Sequence, residues 1–415
     1  MGRTGLLTIL CFFVILLDFY CYKAILAVFK SWTQKTITYF SRTYWIINGA
    51  LIIGVFCAIY LNLFLTFRAV ILVAFFLITV GKLFMLPFLL IDDLRRLVIK
   101  LKGRKEKVLE PSEPIPGDPI SRSKFLVNAG LVVGAVPLTS LSWGIISGAY
   151  DYKIKHVKLV LPNLPKAFDG IKLGQISDIH SGSFYNKTAV KGGVELLLAQ
   201  KPDFIFFTGD LVNNVTSEMK DYQDIFTKVK APLGVYSVLG NHDYGEYYFG
   251  KESSAAKTKN LNDLIATHKI MGWDLLMNQN RRLKVDGEEI GILGIENWGM
   301  GRFPKYGRMD LATQNTDDLP VKLLLSHDPS HWRGQVLPKY PQIDAMFSGH
   351  THGMQFGVRL KHLQWSPIQY IYKEWAGLYR SQQQQLYVNV GYGFLGYPGR
   401  VGILPEITIF ELKRS

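Results

Sequence analysis

Three long, nearly uninterrupted apolar runs open the chain: Gly5–Phe29, Tyr44–Phe67 and Ala69–Ile91. Each is long enough for the roughly 20 helical residues that cross a hydrocarbon core of about 30 Å, so each is predicted to be a transmembrane helix. A fourth, weaker candidate, Phe125–Tyr150, is richer in Gly and Ser and contains Pro137. A cleavable signal peptide does not account for the first run, because further spans follow it and no small-x-small cleavage site is evident. The expected organisation is a three-helix transmembrane region at residues 1–91, a basic cytoplasmic linker at 92–124, and a fourth transmembrane or export-signal-like anchor at 125–150. A separate globular domain fills 151–415.

Charge divides the same way. Of the net +14, Met1–Lys124 carries 16 basic against 7 acidic residues. The basic character therefore belongs mainly to the membrane half, and no Lys/Arg stripe with interleaved aromatics marks a nucleic-acid surface. Short Lys/Arg-rich loops stay cytoplasmic. Arg95, Arg96, Lys100, Lys102, Arg104, Lys105 and Lys107 accordingly place the third loop inside and the catalytic domain on the outer, periplasmic side of a bacterial inner membrane. Ser121–Leu126 resembles a degenerate twin-arginine export signal with a single Arg122. Charges within spans are expensive and usually paired, and Asp18 with Lys82 is the pair expected to lock the bundle. Cys11, Cys21 and Cys57 all lie in apolar runs, so the globular half has neither disulfides nor a thiolate metal site.

From Ile171 onward one arrangement recurs: a short apolar run of strand length, then a polar cluster. The runs are IKLGQISDIH, PDFIFFTGD, GVYSVLGNHD, VKLLLSHD and IDAMFSGHTH, with helical stretches near Ala189–Gln200 and Asn262–His268. Strands alternating with helices predict an α/β domain, and open α/β sheets bind ligands beyond the carboxyl ends of their strands. One such domain gathers Asp178, His180, Asp210, Asn241, His242, His327, His350 and His352. Carboxylate and imidazole donors suit Zn, Mn or Fe. Eight such groups suffice for two ions sharing a carboxylate, an arrangement that clamps a phosphoryl group and generates hydroxide at neutral pH.

The clusters D-I-H at Asp178, G-D at Gly209, G-N-H-D at Gly240, S-H-D-P at Ser326 and G-H-T-H at Gly349 resemble, in order and spacing, the calcineurin-like metallophosphoesterases. The likeness covers about Asp151–Leu412 and is nearest to the bacterial membrane-associated branch. It implies an α/β sandwich of two mixed sheets flanked by helices, preceded by an all-α transmembrane bundle. By the same resemblance Asp178, His180 and His352 would hold the first metal, Asn241, His327 and His350 the second, and Asp210 both. His242 would be the catalytic residue at the leaving group, and Gly240 and Gly349 would let the backbone turn tightly. Asn213 and Asn214 stand where the protein phosphatases carry an Asp and an Arg, which argues against a phosphoprotein substrate. Asn213 and Asp243 are candidates to support His242 from behind.

The expected activity is hydrolysis of a phosphomonoester or phosphodiester by a hydroxide held between two divalent ions, Mn, Fe or Zn. The membrane anchor and the aromatic stretch His362–Tyr379 point toward a lipid-linked ester, while an ordinary cap packed on the core is the plainer reading of those aromatics. No nucleic acid and no obligate protein partner is evident. A catalytically silent scaffold at the membrane is the competing expectation. Arg302, Arg308 and Arg400, in Gly-rich segments, are guesses for a phosphate contact.

Overall fold

The computed structural model describes residues 3–29, 32–61, 65–101, 122–301, 303, 305–360 and 363–415. They form two compact units, Met1–Trp143 and Gly144–Ser415. The basic loop lies largely outside the described residues, while of the twin-arginine-like motif only Ser121 does, Arg122–Leu126 being helical.

In the first unit the helices are α1 (Arg3–Val28), α2 (Gln34–Tyr60), α3 (Leu65–Leu101) and α4 (Arg122–Ile146). All four contain segments long and apolar enough to cross a membrane. Several boundaries differ from expectation. Helix α2 begins ten residues before Tyr44, where the Thr33 side chain caps it by accepting from the Thr36 amide at 3.2 Å, and it stops at Tyr60, where Leu61 is extended. Hydropathy could not place that stop, because the residues around the break are as apolar as those in the helices. Likewise α3 continues past Ile91 to Leu101. Its charged last turns are stitched by Asp92, which pairs with Arg95 at 3.0 Å and Arg96 at 2.8 Å. The Asp18–Lys82 pair is present, at 2.5 Å, and Lys82 also donates to the Asn48 side chain, so one ammonium on α3 ties together α1, α2 and α3. Gly81 and Gly134 let α3 and α4 approach closely, since a Cβ on either would meet the other's carbonyl oxygen.

The second unit is a sandwich. Its strands are β1 (Lys153–Leu161), β2 (Lys172–Ile176), β3 (Phe204–Phe207), β4 (Val235–Ser237), β5 (Asp274–Leu275), β6 (Gln279–Val285) and β7 (Glu288–Gly294). They continue with β8 (Lys322–Leu325), β9 (Ala345–Ser348), β10 (Val358–Arg359), β11 (Gln364–Trp365), β12 (Gly377–Ser381), β13 (Gln384–Val388) and β14 (Glu406–Arg414). One sheet has the order β1-β14-β2-β3-β4-β5, the other β12-β13-β9-β8-β7-β6, and β10-β11 is a separate hairpin. The central strands β2, β3 and β4 run parallel, as do β7, β8, β9 and β13, while β6, β12 and β2–β14 add antiparallel pairings. Both sheets are therefore mixed.

Strands buried on both faces read as continuous apolar runs rather than alternating ones. FIFF, KLLL and AMFS do so, and every residue of those three strands is buried. The inner faces meet in one core that includes Leu173, Phe204, Phe206, Leu323, Leu325 and Phe347. There Phe206 of the first sheet meets Phe347 of the second edge-to-face, with centroids 5.1 Å apart. Helices α5 (Lys187–Ala199) and α6 (Ala255–Met271) cover the outer face of the first sheet, burying Val194, Leu197 and Leu264.

Candidate metal centre

Each expected cluster caps the carboxyl end of a central parallel strand. Asp178 and His180 follow β2, Asp210 follows β3, Asn241 and His242 follow β4, His327 follows β8, and His350 and His352 follow β9. Five of these residues, Asp178, His180, Asp210, His350 and His352, hold left-handed backbone with φ between 49° and 73°. Such conformations cost on the order of 1–3 kcal/mol each and persist where surrounding contacts over-determine them. Gly209 shares the left-handed region at φ 99°. Gly240 and Gly349 do not: the expectation that they relax the turn gives way to a steric role. A Cβ on Gly240 would strike the Asp210 carboxylate, and one on Gly349 would strike Ser177 Oγ and Asp178 Oδ2.

Two donor groups result, Asp178–His180–His352 and Asp210–His327–His350, each with its ligand atoms within 4.8 Å of one another. In the first, His352 Nε2 lies 3.2 Å from Asp178 Oδ1 and 3.0 Å from His180 Nε2. In the second, His350 Nδ1 lies 3.3 Å from His327 Nε2 and 2.8 Å from Asn241 Oδ1, which adds an amide oxygen. Asp210 Oδ2 joins them, 3.1 Å from His327 Nε2 and 3.5 Å from His180 Nε2. The geometry thus brings together all seven expected ligands, in the two sets of the family pattern.

Burial raises the cost of charge here, and the donors respond in the direction a divalent cation requires. Burial pushes Asp178 and Asp210 up, but the imidazoles of His352 and His327 outweigh it, so both carboxyls are held below their usual range. Burial lowers His180 and His350, keeping them neutral. Ionised carboxylates and neutral imidazoles are the protonation states that bind metal. His327 is raised, against burial, by Asp210. A cation held beside Asp210 would take the place of that proton on His327.

A second layer aims the ligands, as outer contacts of metal-binding histidines generally do. His327 Nδ1 donates to the Thr208 carbonyl at 2.7 Å, and His180 Nδ1 faces Asn213 Oδ1 at 3.1 Å. His242 Nδ1 is 2.6 Å from the Asn213 backbone carbonyl, so Asn213 serves both histidines. Asp243 turns elsewhere than expected. Its carboxylate accepts from the amides of Asp210, Leu211 and Gly240 at 2.8–2.9 Å, fixing the Asp210 loop.

Three partners were not anticipated. The Tyr372 hydroxyl lies 2.8 Å from His350 Nε2, and Asp328 Oδ2 lies 3.6 Å from it. Tyr247 likewise accepts from Asn241 Nδ2 at 3.0 Å. The aromatic density around Tyr372 was the available signal, but nothing local singled it out. Arg400, a guess for phosphate, is instead fully buried, donating to the carbonyls of Val390 and Gly393 behind His352. Arg308 pairs with Asp310 at the surface, and Arg302 lies outside the described residues. The centre opens into a cleft of about 350 Å³ whose lining includes His242, Tyr247, Ile371, Tyr372 and Leu395.

Residues 171–354 match the family described as calcineurin-like phosphoesterase, and residues 3–149 match a probable transmembrane domain of calcineurin-like phosphoesterases. An uncharacterized metallophosphoesterase of Bacillus subtilis (strain 168), YkuE, is 30% identical over 256 residues, 61% of this chain and 82% of that one. The chain belongs to the calcineurin-like metallophosphoesterases. A transmembrane protein with metallophosphoesterase domain from Danio rerio is 28% identical over 282 residues, 66% of this metallophosphoesterase and 60% of the relative's length. The uncharacterized metallophosphoesterase Cj0846 of Campylobacter jejuni is 26% identical over 329 residues, 77% of this chain and 76% of that one. With four spanning-length apolar helices and the matching transmembrane family, this metallophosphoesterase is an integral membrane protein.

Proposed function

We propose that the chain hydrolyses a phosphomonoester or phosphodiester at a centre for two divalent cations, with Asp178, His180 and His352 holding one, Asn241, His327 and His350 the other, and Asp210 shared. The observation that carries this reading is the placement of Asp210 Oδ2 within 3.5 Å of a histidine from each donor group. Bound there, two cations would neutralise phosphoryl charge and make hydroxide available at neutral pH.

The chain's own residues supply the rest. Asp210 holds its loop in place by accepting the His242 backbone amide on Oδ1 at 2.9 Å, leaving Oδ2 for the donor groups. His242 lines the cleft with Nδ1 committed to Asn213, which leaves Nε2 of the imidazolium form to give its proton to a departing alkoxide. A phosphoprotein substrate is disfavoured, because Asn213 is spent on two histidines and no arginine stands at the neighbouring position, Asn214.

The test is the full chain purified in detergent, assayed with bis-p-nitrophenyl phosphate and p-nitrophenyl phosphate after manganese loading. The expected result is about two ions per chain and turnover that Asp210→Asn abolishes together with metal retention. A chain that holds no metal and leaves both esters intact would instead be a scaffold. For orientation, the loop charges favour a periplasmic catalytic domain. The globular unit has no native thiol, so Lys220→Cys labelled by an impermeant maleimide in intact cells supports that side, and labelling only after lysis reverses it.

A further inference from the structure

Beside the cleft the surface changes character. In the hairpin β10–β11, Val358 pairs with Trp365, and the strands project Leu360 at 67% and Leu363 at 56% exposure into solvent. Arg359 of β10 forms a largely buried ion pair with Glu406, and Leu360 donates its amide to the Leu363 carbonyl at 2.8 Å. The short helical turn Pro367–Tyr370 follows, packed by Ile368, and leads into Ile371, which is 69% exposed and also lines the cleft. Exposed apolar side chains therefore follow one another along the chain from Leu363 through Trp365 and Tyr370 to Ile371, which lines the cleft. Exposed hydrophobes grouped in this way mark a binding surface rather than scattered surface residues.

Resting on the phosphoesterase reading above, we infer that this strip receives the hydrocarbon chain of an amphiphilic phosphate ester while the phosphate sits among the donor groups. The occupant follows from continuity and from location. The strip's inner end is wall of the cleft itself, so whatever lies along it is bonded to the group being cleaved or adjoins it. The protein resides in a bilayer, where phosphate esters bearing alkyl chains are the abundant apolar ligands. The outer end of the strip includes Leu360 and Leu363, whose exposed side chains offer aliphatic contact.

The experiment compares p-nitrophenyl butyl phosphate with p-nitrophenyl dodecyl phosphate, two diesters that differ only in alkyl length, on the manganese-loaded full chain in phosphatidylcholine nanodiscs. The dodecyl-to-butyl ratio of kcat/KM should be roughly tenfold or more, through KM, and should collapse toward one in Leu363→Asp. It should stay at the wild-type value in Leu196→Asp, which alters an exposed leucine of α5 remote in sequence from the hairpin. A flat chain-length dependence overturns the inference, as does a dependence that Leu363→Asp leaves intact. Failure to cleave either diester, with p-nitrophenyl phosphate also left intact, defeats the phosphoesterase reading instead. A readout independent of turnover then decides the strip: terminally brominated dodecyl phosphate should quench the Trp365 emission, taken as the difference between wild type and Trp365→Phe. Absence of quenching overturns the strip on its own.

Discussion

The Nδ1 atom of His242 lies 2.6 Å from the backbone carbonyl of Asn213. A carbonyl accepts but cannot donate, so the contact fixes one tautomer, with the proton on Nδ1. A side-chain carboxylate in that place would also stabilise an imidazolium; a carbonyl does so less. His242→Asn is therefore expected to lower kcat by about 10²–10⁴ while metal content stays at the wild-type level. The loss should be larger for alkyl esters than for p-nitrophenyl esters, whose leaving group needs little protonation. Equal losses on both would remove His242 from the leaving-group role.

Tyr372 and Asp328 converge on His350 Nε2 from the side opposite its ligand nitrogen. Tyr372→Phe and Asp328→Asn should each weaken metal binding by roughly 10–100-fold, the usual effect of removing an outer contact. Manganese titration followed by activity and by bound metal measures this. A loss in turnover at saturating metal, with unchanged affinity, would assign Tyr372 to the substrate instead.

His268 is buried against Phe207 and Trp273, bonded through Nδ1 to Ser237 Oγ at 3.0 Å, with no partner on Nε2. Burial pushes its pKa down to about 3. The unfolded chain binds the proton first, near pH 6.5, so stability falls as pH drops below that value and keeps falling toward pH 3. The slope from this group approaches about 1.4 kcal/mol per pH unit. In His268→Phe that slope disappears, and the Tm difference between variant and wild type should shift in the variant's favour from pH 7 to pH 4. A difference independent of pH would show that His268 does not titrate on unfolding.

The Asp18–Lys82 pair makes a prediction for the membrane unit. Lys82→Met alone strands a buried carboxylate and should destabilise the bundle by about 3–5 kcal/mol. Combining it with Asp18→Leu should recover most of that loss, since removing both charges leaves only the neutral Asn48 amide oxygen without its donor. Thermal unfolding in detergent separates the two. An additive double variant would mean that the charges do not interact energetically.

How much was legible in the residues follows the range of the forces involved. Runs such as FIFF and AMFS announce buried strands because both faces are covered, and the polar residues ending them are unusual enough to stand out. Asp18 and Lys82 were readable as a pair because charge in an apolar run demands a partner. The end of α2 was not readable, because hydropathy does not change across the break near Leu61. Nor were Tyr372 and Arg400, whose partners lie 22 and 48 positions away and depend on how loops fold over the sheets. Asp243 was placed in the right neighbourhood but aimed at the wrong group. Adjacency in sequence put it near His242, while its carboxylate serves the amides of the preceding loop.

Three of the ligand-bearing loops spring from one sheet and two from the other. Neither donor group is complete on a single sheet, since Asp178 and His180 need His352, and Asp210 needs His327 and His350. A nascent chain thus has no high-affinity cation trap until its last central strand, β9, has docked. On the two-cation reading, ion uptake would be a late event in biogenesis, and a truncated or half-formed domain would scavenge little metal from its surroundings.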